Sequence, residues 1–231
     1  MFSKTAHWYD ALYGFKDYQQ ESHDIINLLK KEHPKAKSLL DVACGTAEHD
    51  RYLSGVYRVN GLDINPAFIN IASRKNPEGQ YLVADMTNFT LNKTYDIVFC
   101  LFSSIGYVKT LNRLVKMLRC FKEHLNRGGI VVVEPWFSKE QWNTDGSVHM
   151  LTGETTRGKV CRMNISQQKG SLSIIDFHYL AGTNRGIRHI RERHVLGLFS
   201  PEEMQSAFKK AGFIVKFDKA GLTGRGLYLA R

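Results

Sequence analysis

Three aspartates, each at or just past the end of a short apolar run, constrain this chain more than any other feature. Asp41 lies in SLLDVACGTAEH, Asp63 ends GLD, and Asp85 follows QYLVA. With the runs at 95–101 and 129–135, these make strand-length segments at 38–42, 57–62, 80–84, 95–101 and 129–135, and the stretches near 47–54, 66–75 and 110–126 read as helices. Strands alternating with helices pair in parallel through right-handed crossovers. The expected fold class is therefore α/β, a Rossmann-like doubly wound, mostly parallel sheet with helices on both faces. Ligands of such sheets bind at the carboxyl ends of the strands, where all three aspartates fall.

The remainder of the chain attaches to that unit. Residues 19–33 carry Ile25, Ile26, Leu28 and Leu29 among polar neighbours, an amphipathic helix ended by Pro34. Ahead of it, Tyr9, Tyr13 and Tyr18 crowd WYDALYGFKDY. Tyr9 and Tyr13 share a face if the segment is helical, which makes an aromatic arm suited to closing over a bound molecule. After Trp136 the pattern changes to strand-like segments without helices, GKVCRMNISQQ, SLSIIDFHYL and IRHIRERHVLGLF, separated by the turns KGS and GTNRG. An antiparallel β meander inserted at 138–198 is expected, dividing a core made of 1–137 and 199–231. Ser200 and Glu203 match a capping box at the start of SPEEMQSAFKKAG, and FIVKFD with GLYLAR reads as a hairpin closing the sheet.

Charge and cysteine usage narrow the function. The net charge is +10, and residues 157–231, with 14 Lys and Arg against 5 Asp and Glu, supply +9 of it. A basic region suits nucleic acid, a membrane surface or a phosphorylated small molecule. No Lys/Arg block of five or more and no RNA-binding signature is present, so a nucleic-acid partner is not expected. Cys44, Cys100, Cys120 and Cys161 form neither a CxxC pair nor a Cys/His cluster, which predicts free thiols and no metal. MFSKTAHWYD lacks the apolar region of a signal peptide, and the run in GGIVVVEPWF is far short of a membrane span. A soluble cytoplasmic protein with no membrane partner is the expectation.

The turn DVACGTAEH offers small residues, Ala43, Gly45 and Ala47, that let main chain approach a ligand, with N–H groups at a helix start. A dinucleotide fingerprint needs GxGxxG, and only one of those glycines is here. The pattern D-x-A-x-G-T-A instead resembles motif I of the class I S-adenosylmethionine-dependent methyltransferases. Asp63 follows Asp41 by 22 residues, about where a carboxylate accepts both ribose hydroxyls of a nucleoside. Asp85 is placed to accept from an adenine amino group, with Met86 against the ring.

Segments spread over nearly the whole chain, SLLDVACGT, FSSIGYV, GGIVVVEPW, RGIRH and GLTGRGLYL, resemble the N,N-dimethyltransferases that act on TDP-linked amino sugars of the desosamine and mycaminose type. The resemblance implies S-adenosylmethionine as cofactor, capped by Tyr9, Tyr13 and Tyr18. Asp41, Ala43, Gly45, Thr46, His49, Asp63, Ile64, Asp85, Met86 and Leu101 complete the cofactor set. It also implies Tyr107 beside the reactive amine, as a base or as an orienting group, and Arg225 at the phosphates of the nucleotide sugar, with Arg162 as a weaker candidate. Ser104, Glu134, Trp136 and Tyr179 fill out the acceptor side. Methyl transfer to the amino group of a nucleotide sugar, giving the N,N-dimethyl product, follows from it. Apart from the resemblance, apolar faces of the meander such as Ile174, Phe177 and Tyr179 suit either a cover for the active site or the interface of a possible homodimer. Another small N, O or C acceptor would share every cofactor motif. The family pattern CGTGxH reads CGTAEH here, so Ala47 replaces a glycine, with only a modest adjustment expected if it begins a helix.

Overall fold

The computed structural model describes residues 2, 4–142 and 144–231. The apolar runs form β1 (Ser38–Val42), β2 (Arg58–Asp63), β3 (Tyr81–Val83), β4 (Tyr95–Cys100) and β5 (Leu125–Val133), all parallel and ordered β5-β4-β1-β2-β3. Before and between them run α1 (Tyr9–Leu12), α2 (Tyr18–Glu32), α3 (Asp50–Leu53), α4 (Pro66–Lys75) and α5 (Leu111–Glu123). A separate four-stranded antiparallel sheet follows, β6 (His149–Thr155), β7 (Gly158–Lys169), β8 (Leu172–Thr183) and β9 (Gly186–Gly197), paired in sequence order. The chain returns through α6 (Pro201–Lys210) to β10 (Val215–Asp218) and β11 (Leu227–Ala230). Both run antiparallel, β11 against β5 and β10 against β11, so the main sheet reads β10-β11-β5-β4-β1-β2-β3. The strand order reverses between β1 and β4, which opens a crevice at their carboxyl ends.

Strand alternation sorts the core into two layers. Leu39, Ile97, Phe99, Ile130, Val132 and Leu227 pack with Ile25 and Leu29 of α2, whereas Leu40, Val42, Val98, Cys100, Val131 and Tyr228 pack with side chains of α5 and α6. A third cluster joins the N-terminal arm to the antiparallel sheet, Trp8 and Leu12 meeting Ile175, Phe177, Tyr179 and Leu196. Close approach there needs a glycine, because a Cβ on Gly153 of β6 would stand 2.7 Å from main-chain atoms of Ala11.

Two local expectations are corrected. The helix anticipated over 47–54 is reduced to α3, because Ala43, Gly45 and Ala47 all adopt left-handed backbone, with φ of 62°, 57° and 56°. Ala47 is thus not at a helix start, and its conformation costs about 1 kcal/mol relative to glycine. Its methyl is buried with Ile69, Ala72 and Tyr81, which offsets part of that cost. The antiparallel sheet also has a fourth strand, β6, whose HMLTGET sequence alternates too weakly to be read as one. The capping box of α6 is present, Ser200 Oγ accepting from Glu203 N at 3.2 Å and Glu203 Oε2 from Ser200 N at 2.9 Å. Among the described residues no helix is long and apolar enough to cross a membrane.

Candidate active site

A cavity of about 760 Å³ occupies the crevice at the carboxyl ends of β1, β2 and β4, walled by the N-terminal arm, the loop after β4 and residues of β8 and β9. Its polar atoms arise in two groups.

The first group lies at the ends of β1, β2 and β3. Asp63 accepts from Gly45 N at 3.0 Å through Oδ2 and from Asn65 N at 2.8 Å through Oδ1. Burial raises its pKa against the pull of those main-chain donors. Nothing stands within 4 Å of where a Cβ on Gly45 would be, so the turn leaves open space in front of its own main chain. A carboxylate with spare lone pairs beside an unfilled, left-handed glycine turn fits the ribose of a nucleoside. Asp85 accepts from the main-chain N–H and hydroxyl of Thr87, both at 2.8 Å, and from Arg113 at 3.2 Å. Burial alone would raise its pKa, but these donors outweigh it and the carboxyl lies below the usual range. Asp41 is buried beside Asp50, and burial first, then Asp50, pushes its pKa up, while Asp50 itself is pushed up to about 6.

The arm is fastened to this side. Thr46 Oγ1 donates to Asp10 at 2.5 Å, and Lys75 bridges Asp10, at 2.9 Å, to Glu48. The rings of Tyr9 and Tyr13 lie 4.7 Å apart, as expected of a shared face, and Tyr18 meets His49 at 4.9 Å. His49 Nε2 is 2.9 Å from Glu21.

The second group surrounds the loop after β4. Phe102 and Ser103 are left-handed, with φ of 50° and 61°, and turn the chain into a short 3₁₀ segment, Ser104–Val108, that presents Tyr107. This segment is pressed against β9, since a Cβ on Gly106 would meet Leu196 at 2.9 Å and Trp136 at 3.1 Å. The Tyr107 hydroxyl is 2.6 Å from His194 Nδ1, and burial holds its pKa far above the ordinary value, so it is a neutral phenol. Glu134, following β5, accepts from Phe102 N at 2.6 Å, from the Thr223 hydroxyl and from Arg225 Nη2 at 3.0 Å. Arg225 lines the cavity, and its Nε is buried with no hydrogen-bond partner among the described residues.

All thirteen residues of the expected cofactor set line this cavity, as do Ser104, Tyr107, Trp136 and Arg225. Glu134, Arg162 and Tyr179 are buried outside its lining and support side chains that form it. Arg162 and Tyr179 are register partners on β7 and β8; Arg162 donates to the Tyr13 hydroxyl at 3.0 Å and its guanidinium lies 4.3 Å from the Phe177 ring. Phe2, Lys16, Phe102, Thr223 and His194 also line the cavity and were not anticipated. His194 had a readable signal: in RERHVLG it shares strand parity with Leu196, so a polar residue occupies a core-facing position. Lys16, 4.0 Å above the Phe102 ring, joins segments too far apart in sequence to signal one another.

A seven-stranded sheet of this order, with a nucleoside-sized cavity at its carboxyl edge, is the architecture of a class I methyltransferase, and residues 39–129 match the family model described as a methyltransferase domain. The chain is 40% identical over 229 residues to dTDP-3-amino-3,6-dideoxy-alpha-D-glucopyranose N,N-dimethyltransferase of Streptomyces fradiae, covering 97% of this chain and 89% of that protein. It belongs to the family of dTDP-amino-sugar N,N-dimethyltransferases. Among solved structures it matches DesVI of Streptomyces venezuelae with a TM-score of 0.90 at 34% identity, covering 97% of each chain. It also matches S-adenosylmethionine-bound CalS10, an amino pentose methyltransferase of Micromonospora echinaspora, with a TM-score of 0.84 at 31% identity, covering 96% and 95%.

Proposed function

We propose that this protein transfers methyl groups from S-adenosylmethionine to the amino group of a dTDP-linked amino sugar, giving the N,N-dimethyl product. The observation that carries this is the continuity of one cavity from the strand-end carboxylate Asp63 to Tyr107 and Arg225. On this reading Asp63, Gly45, Asp85 and Met86 hold the nucleoside, the arm tyrosines cap it, and Arg225 meets the diphosphate.

Bound S-adenosylmethionine supplies an electrophilic methyl on a sulfonium that leaves as a neutral thioether. The chain's part is to hold a neutral amine with its lone pair in line with that methyl, at about 3–3.5 Å, and such positioning contributes about 7–11 kcal/mol. Aromatic walls from Tyr9, Tyr13, Phe102, Trp136 and Phe177 exclude water while this happens. Tyr107 is a poor base, because burial keeps its hydroxyl protonated, so it orients the amine instead. Replacing Tyr107 with Phe should leave substantial turnover; complete loss would assign it a proton-transfer role.

The reading places the enzyme in the cytoplasm, working on a small-molecule nucleotide sugar, with nucleic acid and membrane absent from its partners. Antibiotic-type sugar biosynthesis fits the family, and light scattering during gel filtration tells a homodimer from a monomer. The decisive experiment is mass spectrometry of products from a panel of dTDP-amino sugars incubated with the protein and S-adenosylmethionine. Gain of one and then two methyl groups on nitrogen is expected. Methylation confined to some other small acceptor would overturn the substrate assignment.

A further inference from the structure

β9 carries a buried polar pair, Glu192 and His194, only 6% and 1% exposed. Glu192 accepts from the Lys4 main-chain N–H at 2.8 Å and from the Thr5 hydroxyl at 2.6 Å. Burial would raise its pKa, but His194 and these donors outweigh it and hold it at about 2, so it is a carboxylate. The His194 ring is wedged between Phe2 and Phe177, at 4.5 and 4.7 Å, which fixes its orientation. Its Nδ1 faces the Tyr107 hydroxyl at 2.6 Å. Among the described residues its Nε2 is buried without a hydrogen-bond partner, 3.9 Å from Glu192 Oε2.

Burial, with Arg162 nearby, favours the neutral imidazole over the cation, although Glu192 opposes this. A neutral imidazole carries one N–H, and the tautomer decides which nitrogen has it. With a carboxylate on the Nε2 side, an N–H pointing at the negative charge is favoured over a lone pair pointing at it. Nδ1 then only accepts, so the Tyr107 O–H is committed to it and the phenolic oxygen turns lone pairs to the cavity. The opposite tautomer would free the O–H to bind the amine nitrogen and occupy the lone pair that must attack.

We propose that Glu192 and His194 are positioning residues that fix Tyr107 as a hydrogen-bond acceptor, so that an N–H of the acceptor amine points to the phenol and its lone pair to the methyl. The inference rests on the amino-sugar function proposed above. A primary amine and the secondary amine formed from it both have an N–H to offer. The deprotonated tertiary product has none, so the contact serves both transfers and lapses at completion.

The tautomer is read directly by ¹⁵N NMR of histidine-labelled protein at neutral pH without substrate, the His194 signal being assigned by its absence from His194→Asn. An unprotonated Nδ1 and a protonated Nε2 are expected; a protonated Nδ1 overturns the proposal. In turnover with a dTDP-amino sugar, His194→Phe should lower kcat about tenfold with acceptor KM little changed. His194→Asn, whose side-chain oxygen takes the place of Nδ1, should stay within about threefold, and His194→Phe on a Tyr107→Phe background should cost less than about twofold. Equal losses for Phe and Asn, or an undiminished loss on the Tyr107→Phe background, also overturn it. If His194→Phe does not fold, as thermal unfolding would reveal, the tautomer of the native protein decides. Failure of every amino sugar as substrate would remove the function while the NMR result still stood.

Discussion

At the β1–β3 end of the cavity, main-chain donors fix the strand-end carboxylates Asp63 and Asp85; at the β5–β9 end, other side chains fix Tyr107 and Arg225. Asp63 is fixed by the N–H groups of Gly45 and Asn65, and Asp85 by the Thr87 N–H and hydroxyl with help from Arg113. Across the cavity, Arg225 leans on Glu134, Tyr107 on His194, and Tyr13 on Arg162. Main-chain donors are set by strand and turn geometry and suit a ligand common to a whole fold class. Side-chain pairs change with single substitutions and suit a ligand that differs between family members.

Substitutions on the two sides should separate these modes. The largest effect is expected from Asp63→Ala, which removes the carboxylate proposed to receive the ribose and frees two main-chain donors. Affinity for S-adenosylmethionine by calorimetry should fall by about a hundredfold or more, about 3 kcal/mol. Near-native affinity would mean that the nucleoside is held elsewhere. Next, Arg225→Ala should raise the KM for the dTDP-amino sugar by about tenfold or more while kcat changes less, with cofactor affinity intact. An unchanged KM removes the phosphate assignment.

Smaller effects test the supports. Arg162→Ala deletes a buried guanidinium that stacks on Phe177 and donates to Tyr13. A loss of about 2 kcal/mol, or about 4–8 °C in Tm, is expected, with faster amide exchange in residues 4–13. Unchanged exchange there would break the claim that side-chain pairs hold the arm on that side. Smallest is Ala47→Gly, where relief of left-handed strain and the added freedom of the unfolded chain oppose each other. A gain within about 1 kcal/mol is expected in denaturant titration, and clear destabilisation would show that the buried methyl outweighs the strain.

The same division decided what could be read from sequence. The strands at 38–42 and 95–101 differ from β1 and β4 by at most one residue, because apolar runs between helices leave few alternatives. Asp41, Asp63 and Asp85 were legible because consecutive strand ends share one sheet edge. The left-handed turn at Ala43 and Ala47 was not, since alanine does not announce positive φ as glycine does. Pairings such as Arg162 with Tyr13 and His194 with Tyr107, 149 and 87 residues apart, leave no local periodic trace. Family resemblance brought Arg162, Tyr13 and Tyr107 into view, but neither the pairing of Arg162 with Tyr13 nor His194, which meets Tyr107.

The Glu192 carboxylate that receives Lys4 and Thr5 lies 188 and 187 residues later in the chain. During synthesis the arm therefore emerges first; its partners Thr46 and Lys75 follow early, but its anchor on β9 does not exist until almost the entire polypeptide has been made. The parallel sheet contains its own pairings up to β5 and can begin to form earlier. The roof of the cavity is consequently among the last structures to assemble, and a ribosome-stalled chain ending before β9 should expose Trp8 and Leu12 to proteases that the finished protein resists.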